Sequence, residues 1–323
     1  MGKKKLSGAA KRKKKKEKEE AIEEAAAYLE RLKLGPTKLW TGLVTHHRDI
    51  FVSHVLPKLN RTDRCFFGSA NTESLALLKY AGIDESELRW HILECSSIST
   101  LEWAWNNFEW GEKIEVLGTV KPKDQAYFCW EVAGMNKLEF LKWVKEEKKC
   151  EWDERTIKIV ACVGNLEMLK YCFANDCPYD EKESCLVAAG NGHLDCLRFL
   201  FNKVKPSRET EKKVAQLAGD KGQLDILKYI VEERKISDDA KAACVLYSVP
   251  NGQLDCLKYL VEEAKAPLDD WRHITYARCK EHTECLHYLR EKGSPEPTDE
   301  QYALLVNHYS AIQQQQKQRT QHI

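Results

Sequence analysis

Along the C-terminal part of the chain, apolar residues recur at the i, i+3, i+4 spacing of amphipathic helices, and they do so on a fixed schedule. The clearest segment is Gly192-His193-Leu194-Asp195-Cys196-Leu197-Arg198-Phe199-Leu200. Near copies stand at Gly222-Gln223-Leu224-Asp225-Ile226-Leu227-Lys228-Tyr229-Ile230 and Gly252-Gln253-Leu254-Asp255-Cys256-Leu257-Lys258-Tyr259-Leu260. Counted from Leu138, Leu166, Leu194, Leu224, Leu254 and Thr283, the steps are 28, 28, 30, 30 and 29 residues. A fixed period in this range means stacked supersecondary units, each too small to bury its apolar side alone.

One repeat, 178–205, shows the expected mechanics. Pro178-Tyr179-Asp180-Glu181 is a turn into a first helix, with Asp180 placed to accept a backbone N–H. That helix carries Cys185, Ala188 and Ala189, small enough to let a neighbouring helix approach. Gly192 then marks a sharp turn, with Asn136, Gly164, Gly222 and Gly252 at the same place; all tolerate the positive φ of a helix C-cap. The second helix should bury Leu194, Leu197, Phe199 and Leu200. Asp195 and Arg198 should pair on the solvent side, and the pattern recurs at Glu139/Lys142, Glu167/Lys170, Asp225/Lys228 and Asp255/Lys258.

Before the repeats the pattern changes. Residues 1–36 are a basic tract and a helix ending at Gly35-Pro36; nine of the first sixteen residues are Lys or Arg. The tract reads as a disordered tail, a nuclear import signal or a contact for anionic surfaces including RNA. In 37–82, Ile50, Phe51, Val55, Leu56 and Leu59 fall at helical spacing broken by Pro57, and Thr62 or Asp63 can cap the next helix. A degenerate first repeat spans 83–111, with a helix start at Asp84 to Glu87. A connector follows at 112–123, extended through Ile114, Val116, Leu117 and Val120. Six repeats fill 124–293, and 294–323 is a half-repeat cap, opened by a Thr298/Gln301 capping box, with a polar Gln-rich tail.

Composition narrows the chemistry. The net charge is +1, no apolar run approaches a membrane span, and the start is too basic for a secretory signal. Thirteen Cys without such a signal imply a reducing, intracellular setting, cytoplasm or nucleus. Cys196, Cys256 and Cys285 share one repeat slot with Met168, Ile226 and Phe140, so they read as small core residues. Cys129 and Cys185 share another slot with Ile157, Ala215, Val245 and Ile274. The His282, His287, Cys279 and Cys285 group should not converge on a metal, and no phosphate loop, nucleophile elbow or metalloprotease motif is present. The sequence therefore predicts no catalytic residues, no metal and no cofactor. The Trp group of Trp90, Trp103, Trp105 and Trp110 reads as core or cap.

Ala188-Ala189-Gly190-Asn191-Gly192-His193-Leu194-Asp195 resembles the Ala-Ala-x-x-Gly-His-Leu-Glu run of ankyrin repeats. The resemblance covers about residues 84–310, but the repeats are shorter than that family's usual 33 residues and lack its Thr-Pro-Leu-His signature. It implies an all-α helix-turn-helix solenoid that binds a protein partner through its concave, first-helix side. Exposed candidates there are Lys158, Ser184, Gln216, Lys241 and His273. Asp49-Ile50-Phe51, Val55-Leu56, Leu59 and Asp63 resemble an F-box, without its leading Pro. That resemblance implies docking of 49–78 to the Skp-type adaptor of a cullin ubiquitin ligase through Ile50, Phe51, Val55, Leu56 and Leu59, with the repeats selecting substrate. The competing reading makes these helices a cap on the first repeat. The expected function is a non-enzymatic protein-interaction scaffold; the ligase subunit is the alternative, and nucleic acid is a partner only through the basic tail.

Overall fold

Wherever the sequence repeats its apolar spacing a helix forms, and among the described residues of the computed structural model all regular structure is helical apart from one two-stranded hairpin. It describes residues 47–307 other than 71, 84–87, 89 and 117–118. The basic tract, the helix expected before Gly35, the helix start at 84–87 and the Gln-rich tail lie outside the described residues. The chain divides into two compact units, Met1–Phe108 and Glu109–Ile323.

In the first unit, three short helical stretches (Arg48–Ile50, Phe51–Val55 and Leu56–Lys58) lead into α1 (Arg61–Ala70) and α2 (Thr72–Tyr80); α3 (Ile98–Asn106) follows. Phe51, Leu56, Leu77 and Leu78 form its core, with Val52, Val55, Leu59 and Phe67 partly buried around them. The rings of Phe51 and Phe67 stack at 5.0 Å. The cap of α1 is Asn60 rather than Thr62 or Asp63: its Oδ1 accepts the Asp63 N–H at 2.7 Å. Thr62 is instead fully buried, accepting the His91 N–H at 2.8 Å, so its hydroxyl ties α1 to a neighbouring turn. Trp90 and Trp103 meet edge to face at 5.6 Å beside Phe66, whereas Trp110 lies in the second unit against Phe128.

The second unit opens with an antiparallel hairpin, β1 (Lys113–Val116) and β2 (Thr119–Pro122), in register Lys113 to Pro122 and Val116 to Thr119. Six helix pairs follow: α4 (Gln125–Gly134) with α5 (Leu138–Glu146), α6 (Glu154–Val163) with α7 (Leu166–Ala174), α8 (Glu181–Gly190) with α9 (Leu194–Val204), α10 (Arg208–Lys221) with α11 (Leu224–Lys228), α12 (Asp238–Ser248) with α13 (Leu254–Lys258), and α14 (Arg272–Cys279) with α15 (Thr283–Glu291). Helices α11 and α13 run on as wider π turns over Tyr229–Glu233 and Tyr259–Glu263. Asp124, Asp153, Asp180, Ser207 and Ser237 cap α4, α6, α8, α10 and α12 by accepting a first-turn backbone N–H. After α15, Thr298 and Gln301 exchange the two hydrogen bonds of a capping box at 2.9 and 3.2 Å.

Each first helix packs on the first helix of the next pair, and α7 packs on α9, α11 on α13 and α13 on α15. Small residues permit the close approach: a Cβ at Gly219 would stand 3.1 Å from the carbonyl oxygen of Cys244 on the neighbouring helix. The core slot Cys129, Ile157, Cys185, Ala215, Val245 and Ile274 is sealed from water in every pair.

The turns between the helices of a pair lock consecutive pairs together. Asn136, Gly164, Gly192, Gly222 and Gly252 all have positive φ, as does Glu281 at the sixth turn. A side chain from the next pair lies on four of these turns and bonds the carbonyl two residues before the glycine. His193 Nε2 reaches Cys162 O at 2.8 Å and His282 Nε2 reaches Pro250 O at 3.0 Å; Gln223 and Gln253 make the longer equivalents to Gly190 O and Asp220 O. A Cβ on Gly164 or Gly222 would fall 2.3 or 2.2 Å from the overlying ring or amide. At Asn136 the overlying residue is the shorter Asn165, and the two amides bond each other at 2.7 Å. Glycine thus appears where the next repeat needs the space, beyond the φ requirement alone.

Candidate protein-interaction surface

On the first helices the core slot and the residue before it face inward. From α6 onward the residue two places on is partly or largely exposed, whereas at α4 the equivalent Glu131 is buried and accepts the Tyr127 hydroxyl. That outward row is Ile159, Val187, Leu217, Tyr247 and Tyr276, five apolar or aromatic side chains on five consecutive helices. All are partly or largely exposed, Tyr247 at 46%. Leu186 and Leu246 broaden the row. Near its C-terminal end it opens into a cleft of about 440 Å³ between α12 and α14, whose walls include Leu246, Tyr247, Pro250, Arg272 and Tyr276. Arg272 is held at the rim by Asp270, its Nε 2.8 Å from Oδ2. Burial alone would raise the Asp270 pKa, but the contacts from Arg272 bring it below the ordinary value.

The five candidates expected on this side separate. Lys158, Gln216 and Lys241 are half-buried on it, with Lys158 bonded to Glu183 at 2.9 Å and Lys241 to Asp238 at 2.8 Å. Such partly exposed pairs add little stability. Ser184 and His273, by contrast, are buried. They occupy the slot one residue before the core slot, which is sealed in every pair as Phe128, Thr156, Ser184, Val214, Cys244 and His273. Polar residue type suggested exposure there; the helix phase overrides it. Thr156 Oγ1, Ser184 Oγ and His273 Nδ1 have no hydrogen-bond partner. Burial, the largest influence on His273, pushes its pKa below 6.5.

The second helices present a different surface. Trp143, Tyr171, Phe199, Tyr229, Tyr259 and Tyr288 occupy one slot, and most of this column is tied to the preceding pair. Tyr171, Tyr259 and Tyr288 donate their hydroxyls to Glu146, Glu232 and Glu262 at 2.9, 3.0 and 3.2 Å. Lys142, Arg198 and Lys228 lie over the rings of Tyr171, Tyr229 and Tyr259. The acid–base pairs expected within second helices give way accordingly. Glu167 and Lys170 do pair, at 2.6 Å. Arg198, expected on Asp195, instead reaches Glu233 at 2.8 Å, where it also covers the Tyr229 ring. Phe199, expected in the core, stays half-exposed against Phe173, and Phe201 is buried in its place. Neither the aromatic column nor the outward row of the first helices entered the sequence reading. Writing the repeats one above another, slot by slot, would have exposed both.

Of the five residues expected to dock an adaptor, Phe51 and Leu56 are core, Val55 and Leu59 are partly buried against them, and Ile50 is 50% exposed. Among the described residues no group of three His, Cys, Asp or Glu side chains could hold a metal ion, and Cys285 lies in its core slot. No helix among them is long and apolar enough to cross a membrane. No family model matches the chain, and no curated protein matches it either.

Proposed function

We propose that the helix pairs form an ankyrin-like solenoid and that the chain is a non-enzymatic scaffold binding a protein partner on the outward side of its first helices. The row Ile159, Val187, Leu217, Tyr247 and Tyr276 carries this reading. Partly exposed aromatic and apolar side chains at one position of consecutive helices, with Tyr247 the most open, are the raw material of interface hot spots. The second-helix side uses its aromatics internally, on Glu146, Glu232 and Glu262, which supports the assignment of binding to the other side. The test places a photo-crosslinking benzoyl-phenylalanine at Tyr247 or at Lys258, which is exposed on the second-helix side. A discrete protein adduct from position 247 and none from 258 is the expected result; equal adducts from both would overturn the reading.

The alternative, adaptor docking through 49–78, retains one solvent-facing anchor in Ile50. Leu56→Asp is a poor probe because it strikes the core of the first unit. Ile50→Asp is the clean one: loss of binding to a purified Skp-type adaptor would support docking, and no binding by the unsubstituted chain would end it.

A further inference from the structure

The cysteines read one by one as core residues, yet the fold sets four of them in two pairs. Cys150 follows the positive-φ residue Lys149 that ends the first repeat, and Cys177 follows Asp176 at the same place in the second. Both turn inward: Cys150 is sealed and Cys177 nearly so. Cys150 Sγ lies 3.1 Å from Gln125 O, the carbonyl one helical turn before Cys129 on α4, which brings the two thiols into one neighbourhood; the Cys177 thiol neighbours that of Cys172 on α7. Cys177 N–H also bonds Cys172 O at 3.0 Å, so the backbone already holds that pair in one tight loop. In later repeats the turn position is Pro206, Ile236, Ala266 and Ser294, and no thiol faces the helices from it.

We propose that Cys129–Cys150 and Cys172–Cys177 are two dithiol–disulfide couples, which a low-molecular-weight disulfide converts to intramolecular cross-links that lock the first two repeats. In each couple one cysteine, as thiolate, attacks the small disulfide to give a mixed disulfide and one released thiolate. The second cysteine attacks the mixed disulfide, forms the intramolecular S–S bond and expels the other small thiolate. The two protein protons pass to the two thiolates; each pair loses two electrons and the small disulfide gains them. Disulfide bonding needs the two Cα atoms close together with converging Cβ atoms, and the cross-linking experiment reads whether these neighbouring thiols reach that geometry.

Access sets the rate. The partner thiol and burial together push the Cys129 and Cys177 thiols up, which suppresses the attacking thiolate while the repeats are closed. Exchange therefore proceeds through local opening and should accelerate several-fold in sub-denaturing urea. The partly exposed Cys162 and Cys279 belong to neither pair and should stop at the mixed disulfide.

The experiment treats the full chain with hydroxyethyl disulfide, blocks remaining thiols and maps the linked peptides. Links from Cys129 to Cys150 and from Cys172 to Cys177, reversed by dithiothreitol and accompanied by a higher urea midpoint, are expected. Cys150→Ser with Cys177→Ser should abolish both links and the midpoint rise. The serine hydroxyls can donate to the same acceptors, Gln125 O and Asp153 O, so the fold is retained. Four unmodified thiols at these positions, or links that join other cysteines, would overturn the proposal. The peptide map of the unsubstituted chain decides the matter even where the double variant fails to fold.

Discussion

The two sides of the helix-pair array use the same residue type for opposite ends. Tyr259, on a second helix, is 4% exposed, with its hydroxyl on Glu232 and Lys228 over its ring. Tyr247, on a first helix, is 46% exposed at the mouth of a cleft. Twelve residues apart in sequence, one holds two repeats together and the other is offered to solvent. Surface aromatics on a repeat protein are therefore not equivalent. What distinguishes them is whether the preceding repeat supplies an acid and a cation at the matching place.

The contrast can be strained first at the turns that join the two sides. Gly222→Ala puts a methyl 2.2 Å from Gln253 Oε1 at φ 72°, and should cost about 2–3 kcal/mol in urea unfolding. Adding Gln253→Ala should recover part of that, leaving roughly the 1 kcal/mol of a left-handed alanine. Equal losses in both backgrounds would show that the overlying side chain does not matter.

A smaller effect is expected beneath the first-helix side. His273 is buried, lacks a partner for Nδ1, and has a pKa lowered from 6.5. The unfolded chain binds that proton more tightly than the folded one, so stability falls as pH drops through the ordinary His range and continues to fall until the folded pKa is reached. His273→Val, matching Val214 in the same slot, should raise stability by about 1 kcal/mol near pH 5 and flatten the acid limb of the stability profile. An unchanged profile would remove His273 as its source. On the second-helix side, Tyr259→Phe deletes one inter-repeat hydrogen bond and should cost about 1 kcal/mol, read from the same unfolding curves.

What the sequence made legible follows the range of the forces involved. Repeat period, helix pairing and the positive-φ turns act within a few residues, so Asn136, Gly164, Gly192, Gly222 and Gly252 can be read directly from the chain. Helix phase is also local, but residue type competed with it: Ser184 and His273 look like surface residues and are not. Contacts between repeats span roughly a full period and were not legible. Arg198 chose Glu233 over Asp195 because one move buries its stem on Tyr229 and satisfies its charge. The Cys129 and Cys150 pair was hidden because its members belong to different slots that meet only when the helix pair closes, whereas Cys172 and Cys177 lie five residues apart and were within reach of a local reading. The F-box-like segment shows the reverse, a pattern whose strongest positions, Phe51 and Leu56, are needed by its own core.

The most direct measurement is the urea unfolding free energy of Tyr247→Ala beside Tyr259→Ala in the full chain. A first-helix side left open for a partner predicts a loss of no more than about 0.5 kcal/mol for Tyr247→Ala, and about 3 kcal/mol for the internally engaged Tyr259→Ala. Losses of similar size at the two positions would mean that Tyr247 also serves the fold, and would contradict the division of labour between the two sides.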